Sequence, residues 1–450
     1  MDGAPPVGVS ERLAGFLVEA RAMALPPQVR TEARTSLLNI VATAIAGSAD
    51  PAVEIALKTM APFAGPASAH LIGRTEKVDP PLAAFLNAAA SNVHDFDDTH
   101  LATIIHPAGI VVTAVLAFAE MRKVSGADAL TAIALGMEAT CRIGNAVSPG
   151  HYGRGWHITS TCGVFGAAVA IGTLAKLDAT AMRNALGIAS AQSCGLVETL
   201  GFMAKSIGVG SAARGGLTAA LMAEAGLDGP ERPLEGPRGF LRVTADAPAF
   251  GEITEGLGSH WEMATNLHKP YPCGIVLNAV IDATLALIDR CGAASREATR
   301  ITLYGHPLLL ARTDRPQIAT GREAQVSAQH AVATVLMSGA AGLDAFSDSA
   351  VADPAVAAIR PRVHMVEEAR DGIDGVRLLA VLADGREETV VIDHALGTTH
   401  RPMSHGEVED KLRAIAGRTG ALDPEPLIAA LNAVETADDV AAILPLTRPR

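Results

Sequence analysis

Aromatic side chains are scarce in this 450-residue chain, at 3% of the residues. So few stacking platforms suit it poorly to gripping single-stranded nucleic acid. Lys/Arg-rich runs are missing too, and 36 basic against 48 acidic residues leave a formal charge of −12. That balance argues against a nucleic-acid or anionic-membrane surface. Cysteine is sparse and irregular: Cys141, Cys162, Cys194, Cys273 and Cys291 are far apart, with no CxxC pair. Neither a disulfide framework nor a zinc ribbon is indicated, and each thiol reads as a small buried hydrophobe. The longest apolar runs, such as Gly163 to Ala175, fall short of the ~20 residues a membrane span needs. The start, MDGAPPVGVSERLAGFLVEA, lacks the basic, apolar and small-residue order of a signal peptide, so a cytoplasmic location is expected.

What is abundant is apolar, helix-compatible sequence: 49% hydrophobic against 19% charged. The length exceeds the usual single-core range, so two domains are expected. Leu37, Leu38, Val41, Ala44 and Ile45 recur at three- and four-residue steps, as one helix face requires. Further helices are predicted over 80–93, 108–123, 126–147, 160–177, 179–195 and 210–226, with Asp178 as the N-cap of the one that begins at Ala179. After Lys269 the pattern changes. Arg300 to Tyr304 alternates as a strand does, and 376–383 and 387–392 flank Asp384-Gly385, a hairpin signature. A helix over 324–338 lies between them, and helical period returns through 407–416 and 426–434. The expected fold is mainly α: an all-α domain from 1–267 and 397–450, and an inserted α+β domain at 268–396.

Three groups of polar residues interrupt the apolar text, where they are costly unless satisfied or used. The first is His94-Asp95-Phe96-Asp97-Asp98-Thr99-His100, followed by His106. A metal site is one reading, but these histidines are six apart and do not share a helix face as an i, i+4 pair would. The other reading is a helix end, with Asp97 and Asp98 capping the next segment. The second group is His151-Tyr152-Gly153-Arg154-Gly155-Trp156-His157, then Thr159, Ser160 and Thr161. One loop here supplies acid/base groups and hydroxyls able to cap a helix whose N-terminus would face an anion. Third, Lys205 and Lys269 stand in apolar surroundings, where a lysine can act as a base or hold a carboxylate. The glycines after Lys205 match neither a P-loop nor a dinucleotide fingerprint.

Taken in order, HDFDDTH…HPAG, GHYGRGWHITSTCGVFGAA, FMAKSIGVGSAARGG, HKPYPCG, EAQVSAQHAVA and GTTHRPMSHGEVEDKL resemble the MmgE/PrpD family, over roughly residues 10–435. The resemblance implies a helical domain built from both chain ends, an α+β lid, a homodimer, and chemistry on small polycarboxylates without metal or organic cofactor. Family activities include 2-methylcitrate dehydration, cis-aconitate decarboxylation and iminodisuccinate epimerisation. It also implies that Asp95, Thr99, His106, His157, Lys205 and Lys269 fall on active-site positions. The roles that follow are these: Lys205 and Lys269 neutralise substrate carboxylates, and His157 moves the proton. Asp95 orients or charges a neighbouring histidine, Thr99 and His106 hydrogen-bond the substrate, and Tyr152 is a second proton donor. Arg154 and His330 are further substrate-binding candidates.

The chain departs from the family pattern at Gly208 and Ile158, and at His330, where Tyr is frequent. The expected activity is therefore a lyase, dehydrating or decarboxylating a di- or tricarboxylate. An epimerase with two acid/base groups, or a non-catalytic carboxylate-binding member, stands as the alternative.

Overall fold

The computed structural model describes residues 8–370, 372–420 and 422–450. Residues 1–7, where the leader reading and the first predicted domain begin, lie outside them. The chain divides into two compact units. One comprises Met1–Val93, Asp97–Asn266 and His405–Arg450, the other His94–Phe96 and Leu267–Ser404. Most residues are helical and the sheets are small, as a mainly-α fold requires.

The first unit is built on two helices with no polar face. Every residue of Pro107–Ala119 is buried, as is every residue from Ile158 to Thr173 in the helix Ile158–Leu174. Helices apolar on all sides belong in an interior, with amphipathic helices around them. Local chemistry sets where several of them start. Asp79, Ser125 and Asp178 each accept a backbone N–H of the following first turn, from Leu82, Asp128 and Ala181. Small residues set how closely the helices approach. A Cβ on Gly166 would lie 2.6 Å from the carbonyl oxygen of Gly136, in the neighbouring helix Gly126–Val147. No other side chain permits that backbone approach.

The same effect corrects one expectation. The helix predicted from residue 210 begins at Ala204 and runs to Glu224. Gly208 and Gly210 are interior helical residues there. A Cβ on Gly210 would stand 2.5 Å from the carbonyl oxygen of Phe85, and one on Gly208 2.9 Å from the Ser160 Oγ. These glycines serve close packing within the helix. Among the described residues, no single helix is long and apolar enough to cross a membrane.

The second unit carries a four-stranded sheet in the order Val363–Glu367, Arg300–Gly305, Val376–Val381, Glu387–Ile392. The first pair is parallel and the others antiparallel. The Asp384-Gly385 hairpin forms as its sequence predicts: Gly385 has φ +86° and Asp384 Oδ1 accepts the Arg386 N–H at 3.0 Å. Two details differ from expectation. The helix predicted over 324–338 is split into Gly321–Ala324 and Ala328–Ser338, because Ser327 turns aside to accept the His330 N–H and start the second piece. The strand Val363–Glu367 has no counterpart in the sequence reading, since most of it is exposed and its pattern does not alternate cleanly. The helices Asn278–Cys291 and Ala328–Ser338 close the core of this unit against the apolar faces of Ile301, Leu303, Val376 and Leu378.

Candidate active site

The polar cluster after Asn92 resolves into separate tasks. His100 is fully buried, with Nδ1 2.7 Å from Thr103 Oγ1 and Nε2 3.2 Å from Glu262 Oε2. The hydrogen bond from His100, with a second from His260, holds the Glu262 carboxyl down at about 2. His100 therefore pins the loop. Asp98 Oδ2 accepts the Ala108 N–H at 3.0 Å and so helps cap the buried helix Pro107–Ala119. Asp97 Oδ2 accepts from Asn92 Nδ2 at 2.7 Å, and its Oδ1 is 3.3 Å from His106 Nδ1. His106 Nδ1 is also hydrogen-bonded to the Asp98 carbonyl, and Thr99 Oγ1 is 3.4 Å away. A carbonyl only accepts, so Nδ1 of His106 carries a proton.

The second cluster meets the first at one helix turn. His157 occupies the N-cap position of Ile158–Leu174, but its side chain caps nothing. Thr159, Ser160 and Thr161 lie inside the first turn rather than in the capping position predicted for them, because the carbonyl of His157 already accepts the Ser160 and Thr161 N–H groups. That leaves their hydroxyls for other partners. Ser160 Oγ sits 2.8 Å from His157 Nδ1. Thr159 Oγ1 accepts the His106 N–H at 3.2 Å, and Thr161 Oγ1 is 2.7 Å from His151 Nε2. Two candidate residues, His106 by its backbone N–H and His157 by its imidazole, are thus tied to adjacent residues of a single turn. The backbone N–H of His157 donates to Gly195 at 3.0 Å, which fixes the loop from behind.

The helix Ala204–Glu224 brings Lys205 to the same region. Gly208, one turn beyond Lys205, faces Ser160, and Ser206 Oγ donates to Asn92 Oδ1 at 3.2 Å. A chain of contacts therefore runs Ser206–Asn92–Asp97–His106–Thr159. Lys205 is half-buried at its end. Tyr152 is half-buried in the short helix Gly150–Gly153, whereas Arg154 is exposed and pairs with exposed Asp246 at 3.0 Å. His151 is fully buried, and burial brings its imidazole down to about 4. It is a neutral packing residue stacked on Trp156.

In the second unit, Lys269 is only 1% exposed. Its Nζ lies 3.1 Å from both Oδ2 and the carbonyl oxygen of Asp95. Asp95 has φ +51°, a left-handed conformation that Asp tolerates better than most residues. His330 is fully buried: its Nε2 is 2.8 Å from the Ala345 carbonyl oxygen, and its ring packs on Phe346. Burial pushes that imidazole down, so it is neutral in the interior. Two residues after Lys269, Tyr271 donates to Asp282 at 2.6 Å, and burial pushes its phenol well up.

Two family models match this architecture in order: the MmgE/PrpD N-terminal domain over residues 11–252 and the MmgE/PrpD C-terminal domain over residues 271–434. The chain belongs to the MmgE/PrpD family. Among MmgE/PrpD relatives, the cis-aconitate decarboxylase-like protein oryM of Aspergillus oryzae is 29% identical, covering 99% of this chain and 98% of that protein. The human cis-aconitate decarboxylase is 26% identical over 94% of this chain and 91% of its own length. An Aspergillus terreus cis-aconitate decarboxylase is 32% identical, but that match spans 58% of this chain and about half (56%) of that protein. The family is one of enzymes, and these relatives carry the names of lyases.

Sequence reasoning missed the residues that connect the MmgE/PrpD histidines. Asn92, Asp97 and Ser206 are ordinary polar residues until their partners are known. Thr159 and Ser160 were legible only as capping hydroxyls.

Proposed function

We propose that this protein is a cofactor-independent lyase that decarboxylates or dehydrates a small tricarboxylate, with cis-aconitate as the first substrate to test. One observation carries the reading: the hydroxyls of adjacent residues of one helix turn hold His106 by its backbone N–H and His157 by its imidazole, and Lys205 stands on a helix packed against that turn. The decarboxylase names of relatives that span nearly the whole chain support this choice of substrate.

The chemistry needs cations to hold carboxylates and an acid beside the reacting carbon. When a carboxylate leaves as CO₂, the electron pair of the broken C–C bond enters a system conjugated with a remaining carboxylate. A proton must then be delivered to carbon. In this proposal His157 delivers it, with Ser160 setting the ring. Lys205 and Lys269 neutralise carboxylates and stabilise the enediolate-like charge. Asp95 holds the Lys269 ammonium in place, Thr99 and His106 hydrogen-bond the substrate, and Tyr152 is the second donor. These side chains supply the acid, the base and the counter-charges themselves, so neither metal nor organic cofactor is invoked.

A homodimer is part of the proposal. Leu196, Leu200, Phe202 and Met203 are exposed on a short stretch just before Lys205, and exposed apolar side chains gathered in one segment suit a second copy. Five free cysteines fit a reducing, cytoplasmic setting.

Purified protein is incubated with cis-aconitate, 2-methylcitrate and iminodisuccinate, with and without EDTA. CO₂ release from cis-aconitate, unaffected by EDTA, supports the proposal. Deuterium uptake into iminodisuccinate without net conversion would replace it with epimerisation. Saturable binding with no turnover of any of the three would leave only a carboxylate-binding protein.

A further inference from the structure

The second unit holds three metal-ligating side chains that the proposed reaction does not use. Asp374 stands two residues before the strand Val376–Val381, and His394 two residues after Glu387–Ile392. The ladder pairs Val376 with Ile392, so continuing its register sets Asp374 opposite His394. The Ala395 N–H donates to the Asp374 carbonyl at 2.9 Å, which fixes that register in the backbone. A tight turn follows, closed by the Gly397 N–H on the Arg401 carbonyl at 2.8 Å, and this turn carries His400 back over the hairpin end. Asp374 Oδ2 then lies 2.8 Å from His394 Nδ1 and 3.4 Å from His400 Nδ1. The two imidazoles stack with ring centroids 3.8 Å apart, and one ligand atom from each residue falls within 4.8 Å of the others.

We propose that Asp374, His394 and His400 form a divalent transition-metal site at the open end of the hairpin. Two imidazoles and one carboxylate suit Zn²⁺, Ni²⁺, Co²⁺ or Cu²⁺ and are a poor set for Ca²⁺ or Mg²⁺, which take oxygen ligands. At metal–ligand distances of about 2.0–2.1 Å, neighbouring ligands of a tetrahedral ion stand roughly 3.3 Å apart. The observed separations of 2.8 and 3.4 Å bracket that value. Two stacked imidazoles repel when both are protonated, and a metal replaces those protons with a shared cation. The side chains of His394 and His400 are 44% and 62% exposed while that of Asp374 is 14% exposed. The site therefore takes three protein ligands and leaves a position to water, and its metal exchanges with solvent. Its role is to clip the strand end to the 397–401 turn.

The test uses the full, tag-free chain and Co²⁺ alone, read by its visible absorption, with Zn²⁺ added in competition. One equivalent of Co²⁺ is expected, displaced by Zn²⁺, with a rise in melting temperature. His394→Ala, His400→Ala and Asp374→Asn should each weaken binding by more than about tenfold, since loss of a mere supporting residue costs roughly 10–100-fold. Turnover without added metal should stay at the parent level in each. His364→Ala, at an exposed histidine of the same unit, should bind as the parent does. Cu²⁺ resonance should report two nitrogen ligands in the parent and one in His394→Ala. Parent-like binding in both histidine variants would overturn the assignment, as would Co²⁺ uptake no stronger than that of a single surface imidazole.

Discussion

Replacing Asp95 with Asn isolates the most consequential electrostatic feature of the second unit. Lys269 is 1% exposed, and its Nζ lies 3.1 Å from the Asp95 carboxylate and 3.1 Å from the Asp95 carbonyl. Asp95→Asn preserves shape and the carbonyl contact but removes the countercharge. Removing one partner of a buried pair typically costs about 3–5 kcal/mol, because the other charge stays out of water uncompensated. The Asp95 side chain is 14% exposed, so solvent relieves part of this and the lower end is expected, about 3 kcal/mol. At roughly 2–4 °C per kcal/mol for a domain of this size, the calorimetric transition should fall by about 6–12 °C. The double variant Asp95→Asn/Lys269→Met, which removes both charges, should recover much of that loss, with a coupling of roughly 1–3 kcal/mol in the cycle. A single variant within about 0.5 kcal/mol of the parent, or a cycle that closes with no coupling, would refute the argument that this pair is held together by burial. Turnover should fall in every variant of the set, because the ammonium is either displaced or gone.

Lys269→Ala and His157→Ala should each lower kcat by a factor on the order of 10²–10⁴ in a folded protein, as loss of a charge-stabilising or proton-transfer group does; steady-state kinetics decides, and unchanged turnover removes that residue from the site. Gly208→Ala would push a Cβ to 2.9 Å from Ser160 Oγ and so displace His157; kcat should drop by about tenfold or more with the melting temperature little changed, given how steeply rate depends on placement. His151 is held neutral at about 4, below the ordinary 6.5. Because its folded value is depressed, its contribution is fully present above pH 6.5 and fades as pH falls toward 4, by up to roughly 3 kcal/mol at 1.36 kcal/mol per unit. His151→Phe should flatten that part of the stability–pH curve, and an unchanged slope between pH 6.5 and 4 would count against the assignment.

The sequence by itself determined what depends on neighbours a few residues apart. Asp178 as a cap, the Asp384-Gly385 turn and the alternation of Arg300 to Tyr304 are local, and each appears in the fold where its chemistry puts it. The ordered motifs were also enough to name the family. Tertiary structure decided the rest, because those choices depend on what lies across a gap of chain. Gly208 falls before the helix predicted over 210–226, and the close approach of Ser160 and Phe85 to Gly208 and Gly210 shows why small residues stand in the helix that begins at Ala204. Asp95 and Lys269 are 174 positions apart, and nothing near either one announces the ion pair. His106 and His157 are joined by the hydroxyls of Thr159 and Ser160, which local reasoning assigned to capping. A hydroxyl has one best partner, and whether that partner is its own backbone or a group elsewhere in the chain, the His106 N–H for Thr159 and the His157 ring for Ser160, is settled by packing.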